Sequence, residues 1–302
     1  MELSYLRQRQ SNPLEVKVQM SLIRIREWYE RWDGDVFVSY SGGKDSDVLL
    51  HLVRSIYPNV PAMMLNTRIE YPAVIKHCHQ IPNIQFVKPQ MRFSEVLSKY
   101  GYPVVSKEQS LYIYQCRNTN SDKLRQKRLH GSPGKPQQGK ISNKWQYLLD
   151  APFMISDKCC YALKKKPADQ FVKHSGLKPF LGTKACDSWL REMDVLRYGC
   201  NAICNRPAGR PISFWLDEDI YKYIEQEDIE ICSLYEEGYR STGCMFCCFG
   251  LHMESEPNRL QRLAKTNPRL WSYGIHELGI GNVLDFMDID YMPSRQLELS
   301  FH

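Results

Sequence analysis

Two groups of residues in this 302-residue chain have the types and spacing to do chemistry. The first is Ser41-Gly42-Gly43-Lys44-Asp45-Ser46, between an apolar, β-branched run at 35–40 and a stretch of helical periodicity at 47–56. Paired glycines let the backbone approach an anion closely and take up positive φ. Successive N–H groups then form a nest, and the N-terminus of the following helix adds its positive dipole end. Ser39, Ser41 and Ser46 offer hydroxyls to phosphate oxygens, and Lys44 adds a charge. Asp45 is suited to hold Mg²⁺ over the phosphates, because Mg²⁺ is usually bound by few carboxylates plus phosphate oxygens. The spacing is not the Gly-x-x-x-x-Gly-Lys-Ser/Thr of a P-loop.

The second group is made of cysteines, of which the chain has 11. Cys159 and Cys160 are adjacent, and after 83 intervening residues Cys244 and Cys247 form a Cys-x-x-Cys pair. Four thiolates can close a zinc site or hold an iron–sulfur cluster. Neighbouring side chains diverge and cannot form a zinc knuckle, whereas a cubane accepts them on separate irons. The spacing therefore favours a 4Fe–4S cluster. Cys248 stands beside the pair as a sulfur carrier, a spare thiol or a small buried hydrophobe. Cys78, Cys116, Cys186, Cys200, Cys204 and Cys232 follow no pattern, and most are expected in the core.

The elements that must position these groups alternate. The first 34 residues read as an amphipathic helix ended by Asp33-Gly34. Strands are expected at 35–40, 61–65, 84–87 and 178–181, with helices at 47–56, 72–80, 93–100, 158–174 and 217–226. Strands alternating with helices imply an α/β fold, a parallel twisted sheet flanked by helices. Between 117 and 145 the pattern fails, and Lys123, Arg125, Lys127, Arg128, Lys135, Lys140 and Lys144 suggest a long mobile basic loop. The expected organisation is an N-terminal helical segment (1–34), a nucleotide-binding α/β domain (35–215) and an acidic, cysteine-rich helical extension (216–302) that completes the cluster site.

Composition sets the bounds. Hydrophobic residues make up 43% and charged residues 25%, which excludes the disordered and low-complexity classes. No apolar run approaches the ~18 residues of a membrane span, and no signal peptide is expected at the N-terminus. Clustered cysteines without a secretion signal point to reduced thiols and a cytoplasmic location. The net charge of +6 is unevenly spread: Lys/Arg against Asp/Glu gives +3 for 1–100, +12 for 101–210 and −9 for 211–302. A basic middle third implies a polyanionic partner. Tyr112, Tyr114 and Trp145 flank it, as base-stacking residues or as ordinary core.

The Ser-Gly-Gly-Lys-Asp-Ser loop resembles that of the PP-loop ATP pyrophosphatases, with their adenine nucleotide alpha hydrolase-like fold. That resemblance implies ATP split between its α and β phosphates. Cys-Cys, about eighty residues, then Cys-x-x-Cys is similar to the cluster motif of adenylyl-sulfate reductases in the phosphosulfate reductase family. Leu65-Asn66-Thr67 with Glu70-Tyr-Pro72 looks like that family's second-strand segment. Gly182-Thr-Lys184-Ala with Ser188 and Arg191 looks like its Gly-x-Arg-Ala-x-Glu-Ser-x-x-Arg motif, and Pro211-Ile-Ser213 with Trp215, Asp219 and Ile220 like its Pro-x-x-x-Trp segment. The resemblance adds Asn66, Thr67, Gly182, Lys184 and Arg191 to the nucleotide-binding residues.

Two departures stand out. The reductases carry a nucleophilic cysteine in a C-terminal Glu-Cys-Gly-Ile/Leu-His tail, whereas residues 294–302 here hold none and the last cysteine is Cys248. Reduction of a sulfonucleotide needs a thiolate. The reductases also have altered phosphate loops, while this one keeps the ATP-cleaving form. The chain is therefore similar to sulfur-handling relatives such as tRNA thiolases and, along most of its length, DNA phosphorothioation sulfurtransferases. That implies an enzyme with Lys44 and Asp45, and Cys248 if it carries sulfur, as catalytic groups. ATP, Mg²⁺ and a 4Fe–4S cluster are the expected cofactors. DNA rather than RNA is the expected acceptor, with a cysteine desulfurase or other persulfide donor and a possible homo-oligomer. The alternatives are a sulfonucleotide reductase whose nucleophile is Cys248, and a non-catalytic nucleic-acid-binding subunit.

Overall fold

The computed structural model describes residues 2–293; the tail at 294–302 that lacks the Glu-Cys-Gly motif lies outside them. Along the chain run α1 (Leu3–Gln10), α2 (Leu14–Arg31), β1 (Val36–Tyr40), α3 (Lys44–Ile56), β2 (Ala62–Leu65), α4 (Pro72–Gln80) and β3 (Ile84–Val87). Then come α5 (Phe93–Tyr100), β4 (Val104–Val105), α6 (Lys107–Asn118), α7 (Asp122–His130), α8 (Lys158–Cys160) and α9 (Lys166–Ser175), the last two joined by a π-turn at Tyr161–Lys165. The remainder is β5 (Lys178–Leu181), α10 (Trp189–Tyr198), β6 (Asn201–Ala202), β7 (Ala208–Gly209), α11 (Asp217–Gln226), β8 (Cys248–Phe249), α12 (Arg259–Thr266), α13 (Pro268–Ser272) and α14 (Ile280–Phe286). No helix among the described residues is long and apolar enough to cross a membrane.

The chain forms two compact units. The first comprises residues up to Asn66, Glu70–Lys88 and Pro167–Thr242, and the second Thr67–Ile69, Pro89–Lys166 and the residues from Gly243 onward. Each unit is discontinuous, so it differs from a linear division at residues 34 and 215.

The first unit holds a six-stranded sheet in the order β3-β2-β1-β5-β7-β6. All its pairings are parallel except β6 with β7. Val36, Phe37 and Val38 are fully buried because β1 is central and covered on both faces. The chain leaves β1 toward β2 on one side and later returns to β5 on the other. The carboxyl end of β1 is thus a topological switch point, where open α/β sheets bind ligands. Val48, Leu49, Leu52 and Val53 fix α3 against the sheet.

The expected N-terminal helix is two helices, since Ser11-Asn12-Pro13 interrupts it. On α2, Ser21 Oγ donates to the Pro211 carbonyl at 2.9 Å and accepts from Trp215 Nε1 at 2.9 Å, while Lys17 Nζ lies 2.7 Å from Asp219. The Pro211–Trp215 segment and Asp219, legible as a motif, therefore serve to tie α2 to α11.

The second unit corrects the expected basic loop. Residues 107–130 form α6 and α7, and Asn143–Asp150 is a 3-10 helix. Ser121 caps α7, accepting from Leu124 N at 3.3 Å, and Gly131 at φ 91° ends it. Polar residues on every face of α7 erase the periodicity that would have revealed it. Trp145 is buried in a core with Val104, Ile113, Ile141, Leu148 and Val283, so it packs rather than presenting a face for base stacking.

Candidate active site

The glycine loop connects β1 to α3 in the first unit. Ser46 Oγ accepts from the N–H groups of Ser41 (3.2 Å) and Gly43 (3.1 Å) and donates to the Gly43 carbonyl (2.7 Å). The hydroxyl expected to bind phosphate thus also folds the loop on itself. Gly42 has φ +69°, and a Cβ there would stand 2.8 Å from both Cys78 Sγ and Val74 Cγ1. At Gly43 a Cβ would meet Thr242 Oγ1 at 2.7 Å and the Tyr235 hydroxyl at 3.1 Å. Gly42 is required by backbone conformation, whereas Gly43 is required by what faces it. Tyr235 also accepts from Lys44 N at 3.0 Å.

A cavity of about 290 Å³ opens over this loop. Ser39, Ser41, Gly43, Lys44, Asp45, Ser46, Gly182 and Arg191 line it, together with Arg240, Ser241 and Thr242. A second cavity, of about 640 Å³, shares Lys44, Asp45, Arg191 and Arg240 and adds Asp187, Asp217, Tyr221 and Tyr239. Both fall near the range of small-molecule sites. Asn66 and Thr67 line neither: Asn66 follows β2, its N–H donating to Val87 O at 2.9 Å, and Thr67 is buried in the second unit.

Charges on the cavity walls are interleaved. Lys44 Nζ is 3.0 Å from Asp45 Oδ1 and 2.8 Å from Asp217 Oδ1. Lys184 Nζ, with a fully buried side chain, lies 2.7 Å from Asp45, 3.1 Å from Asp187 and 3.3 Å from Asp217. Arg191 pairs with Asp187. Burial works against the charge of Lys44, but the Asp217 hydrogen bond and the Asp45 charge outweigh it and hold its pKa above the usual lysine value. Lys184 is likewise raised, with Asp45 and Asp187 overcoming its desolvation. Asp217 is held low, chiefly by its bond to Lys44. Both lysines therefore stay cationic, held among the carboxylates of Asp45, Asp187 and Asp217.

Sequence reasoning missed Asp187, Asp217, Tyr235 and Arg240–Thr242. Asp217 opens α11 within Asp-Glu-Asp, where acidic residues are ordinary complements of the helix dipole. The 235–242 segment is irregular and offers no periodic signal.

In the second unit, Cys159 is buried, and Cys160, Cys244 and Cys247 are partly exposed. A hydrogen bond to Cys160 and burial raise the Cys159 thiol, and Cys244 and Cys247 oppose its ionisation further. The same bond, with Lys107 and Lys164, draws Cys160 toward thiolate. The four expected ligands thus act on one another electrostatically. Among the described residues no three His, Cys, Asp or Glu side chains converge as a single metal ion requires.

Arg259 donates to the carbonyls of Cys247 and Phe249, each at 3.2 Å, and pairs with Glu254, bracing the Cys-x-x-Cys turn. Asn258 caps α12, its Oδ1 accepting from Leu260 N at 3.0 Å and Gln261 N at 3.1 Å. His252 packs edge-on against Trp145 at 4.8 Å, and burial lowers its basicity.

Cys248 is a poor nucleophile in this arrangement. It is 2% exposed, and burial pushes its thiol up to about 12. Its backbone pairs β8 with β4, Val104 opposite Cys248. Burial and strand pairing fit the small-hydrophobe reading of Cys248. Of the unpatterned cysteines, Cys78, Cys116, Cys200 and Cys232 are buried, while Cys186 and Cys204 are exposed.

The model of the phosphoadenosine phosphosulfate reductase domain matches residues 35–128 and 112–249. The adenosine 5'-phosphosulfate reductase of Staphylococcus epidermidis is 22% identical over 230 residues, 74% of either chain. Among solved structures, the phosphoadenylyl-sulfate reductase from Candida auris, in a phosphate complex, matches with TM-score 0.43 and 14% identity over 81% of this chain and 96% of its own. The U34-tRNA thiolase NcsA from Methanococcus maripaludis, with its 4Fe–4S cluster, matches with TM-score 0.39 and 14% identity over 93% and 83%.

Proposed function

The chain belongs to the phosphoadenosine phosphosulfate reductase domain family, and we propose that it is an ATP-cleaving member that activates a nucleic-acid oxygen, foremost a DNA backbone phosphate, for replacement by sulfur. The supporting observation is the Ser41–Ser46 glycine loop at the switch point, opening on a cavity walled by Lys44, Arg191 and Arg240.

In this reading the hydroxyls of Ser39 and Ser41, with Lys44 and Arg240, hold the β and γ phosphates. An acceptor oxygen attacks the α phosphorus, the α–β bond breaks, and pyrophosphate leaves. Preorganised donors and cations supply most of the acceleration of such a step, since little covalent chemistry falls to the protein. Asp45 and Asp217 would hold Mg²⁺, which neutralises charge developing on the phosphates. A persulfide sulfur then attacks the activated acceptor phosphorus. The P–S bond forms, the P–O bond to AMP breaks, and AMP departs with the oxygen. A thiol next cleaves the S–S bond, leaving the phosphorothioate and an oxidised thiol donor. Cys159, Cys160, Cys244 and Cys247 would hold the 4Fe–4S cluster, which, with every iron ligated, would supply structural and electrostatic support.

Incubation with ATP, Mg²⁺, DNA, a persulfide donor and a thiol tests the reading by the appearance of AMP and pyrophosphate in equal amounts. Sulfite released from adenylyl sulfate and a thiol, without pyrophosphate from ATP, would instead establish a sulfonucleotide reductase. A non-catalytic subunit would be unaffected by Lys44→Ala.

A further inference from the structure

The basic stretch of the second unit divides its charges by task. Arg117 donates to the carbonyls of Phe153 (2.8 Å) and Ala151 (3.2 Å). Arg125 donates to Thr119 O at 2.7 Å and Asp122 at 3.1 Å. Arg128 donates to Gln115 at 2.8 Å and Gly139 O at 2.7 Å, with its guanidinium 3.9 Å from the Tyr112 ring centroid. These arginines shape the backbone. Lys123, Lys127, Lys135 and Lys144 are exposed, and none is paired with a carboxylate among the described residues.

Helix α7 has no buried residue. Isolated helices of this length are marginal in water, and most helical stability in proteins comes from packing an apolar face. Here Leu129 packs partly against the core, and the Arg128 bonds hold the 131–142 turn back along the helix, with Ile141 N donating to Arg128 O at 2.7 Å. A helix that is braced by its arginines, with no residue fully buried, serves to display its outer face. Between residues 119 and 149 the sole carboxylate is Asp122.

We infer that α7 and the 131–144 turn form a docking surface for a nucleic-acid backbone, in which Lys123, Lys127, Lys135 and Lys144 contact phosphates without reading bases. Lysine acts on phosphate as a point charge, and one-turn spacing on α7 sets Lys123 and Lys127 on the same face. The membrane alternative lacks its anchor, because no large hydrophobic side chain between 117 and 145 is exposed. A protein partner would want an aromatic or aliphatic hot spot, which this surface also lacks. The inference rests on the reading of a nucleic-acid acceptor, and it adds the surface and the mode of contact.

Fluorescence anisotropy of the full-length protein on a labelled 30-base-pair DNA tests it across a salt series. The comparison is with the fourfold Lys→Gln variant at 123, 127, 135 and 144 and a Lys173→Gln/Lys265→Gln control, each checked by circular dichroism. Each phosphate contact contributes about −0.9 to the slope of log K against log salt. The fourfold variant is expected to bind at least tenfold more weakly near 0.1 M salt, with a slope shallower by about 3, while the control matches wild type. An unchanged slope in the folded variant would overturn the inference. So would wild-type protein that binds anionic vesicles but neither DNA nor a matching RNA. ATP cleavage is read separately on the same proteins: its loss with intact lysine-dependent binding defeats the enzymatic reading alone, and the reverse pattern defeats the docking surface alone.

Discussion

Lys184 Nζ stands 2.7 Å from Asp45 Oδ1, with the lysine side chain wholly buried and the aspartate partly open to the cavity. A residue of the 182–184 segment after β5 therefore governs the carboxylate that the glycine loop presents. Removing one partner of a buried ion pair typically costs about 3–5 kcal/mol, because the other charge is left uncompensated. The open side of Asp45 admits water, so the lower end applies. Lys184→Met should reduce stability by about 2–3 kcal/mol in urea titration and lower pyrophosphate release by more than tenfold. Unchanged values for both would contradict the assignment.

The two loop glycines should fail differently. Gly42→Ala forces a side chain into positive φ and against Cys78 and Val74, which together cost about 2–4 kcal/mol. Gly43→Ala meets no such backbone penalty, since its φ is −106°, but its methyl would press on Thr242 and Tyr235 at the cavity wall. Thermal melts should therefore show the larger loss for Gly42→Ala. Nucleotide titration of Gly43→Ala should show at least tenfold weaker binding with a small change in stability.

Beneath the loop, His77 Nε2 lies 3.0 Å from Asp47 Oδ1, which also accepts from the Tyr40 hydroxyl. Burial disfavours the imidazolium, but the hydrogen bond and charge of Asp47, with Glu230 beyond, raise the pKa of His77 above its ordinary value. A group raised on folding contributes stability fully below its unfolded pKa of about 6.5 and loses it as pH climbs through the folded value. Unfolding free energy should thus decline from pH 6.5 upward, and His77→Gln should flatten that decline. An identical slope in the variant would exclude this pair as its source.

Anaerobic purification should yield about four irons and four sulfides per chain. Serine at Cys159, Cys160, Cys244 or Cys247 should diminish the visible absorbance, while Cys248→Ser should retain it, since that thiol is buried within the β4–β8 pairing. Iron content unaffected by all five substitutions would remove these ligands from consideration.

Much of this fold was legible because buried parallel strands and amphipathic helices write their periods into the chain. Val36–Tyr40 and Lys178–Leu181 are examples. Helix α7 was not, because a helix with no buried residue has no apolar stripe. The loop residues Ser41–Ser46 announced themselves through glycine and hydroxyl chemistry. Asp217, Tyr235 and Arg240 reach the same cavity from distant segments by tertiary folding, which local patterns do not encode. Asp219 shows the converse: it was visible in a motif, yet it spends its carboxylate on Lys17 and the Leu216 N–H.

The central claim is that the glycine loop at Ser41–Ser46 grips a triphosphate for cleavage between its α and β phosphates. Phosphorus NMR of a reaction containing ATP, Mg²⁺, DNA, a persulfide donor and a thiol tests it most directly. The expected spectrum contains AMP and pyrophosphate in equal amounts with no ADP, and Lys44→Ala abolishes both. Release of ADP and orthophosphate, or an ATP signal unchanged by the wild-type protein, would contradict the claim.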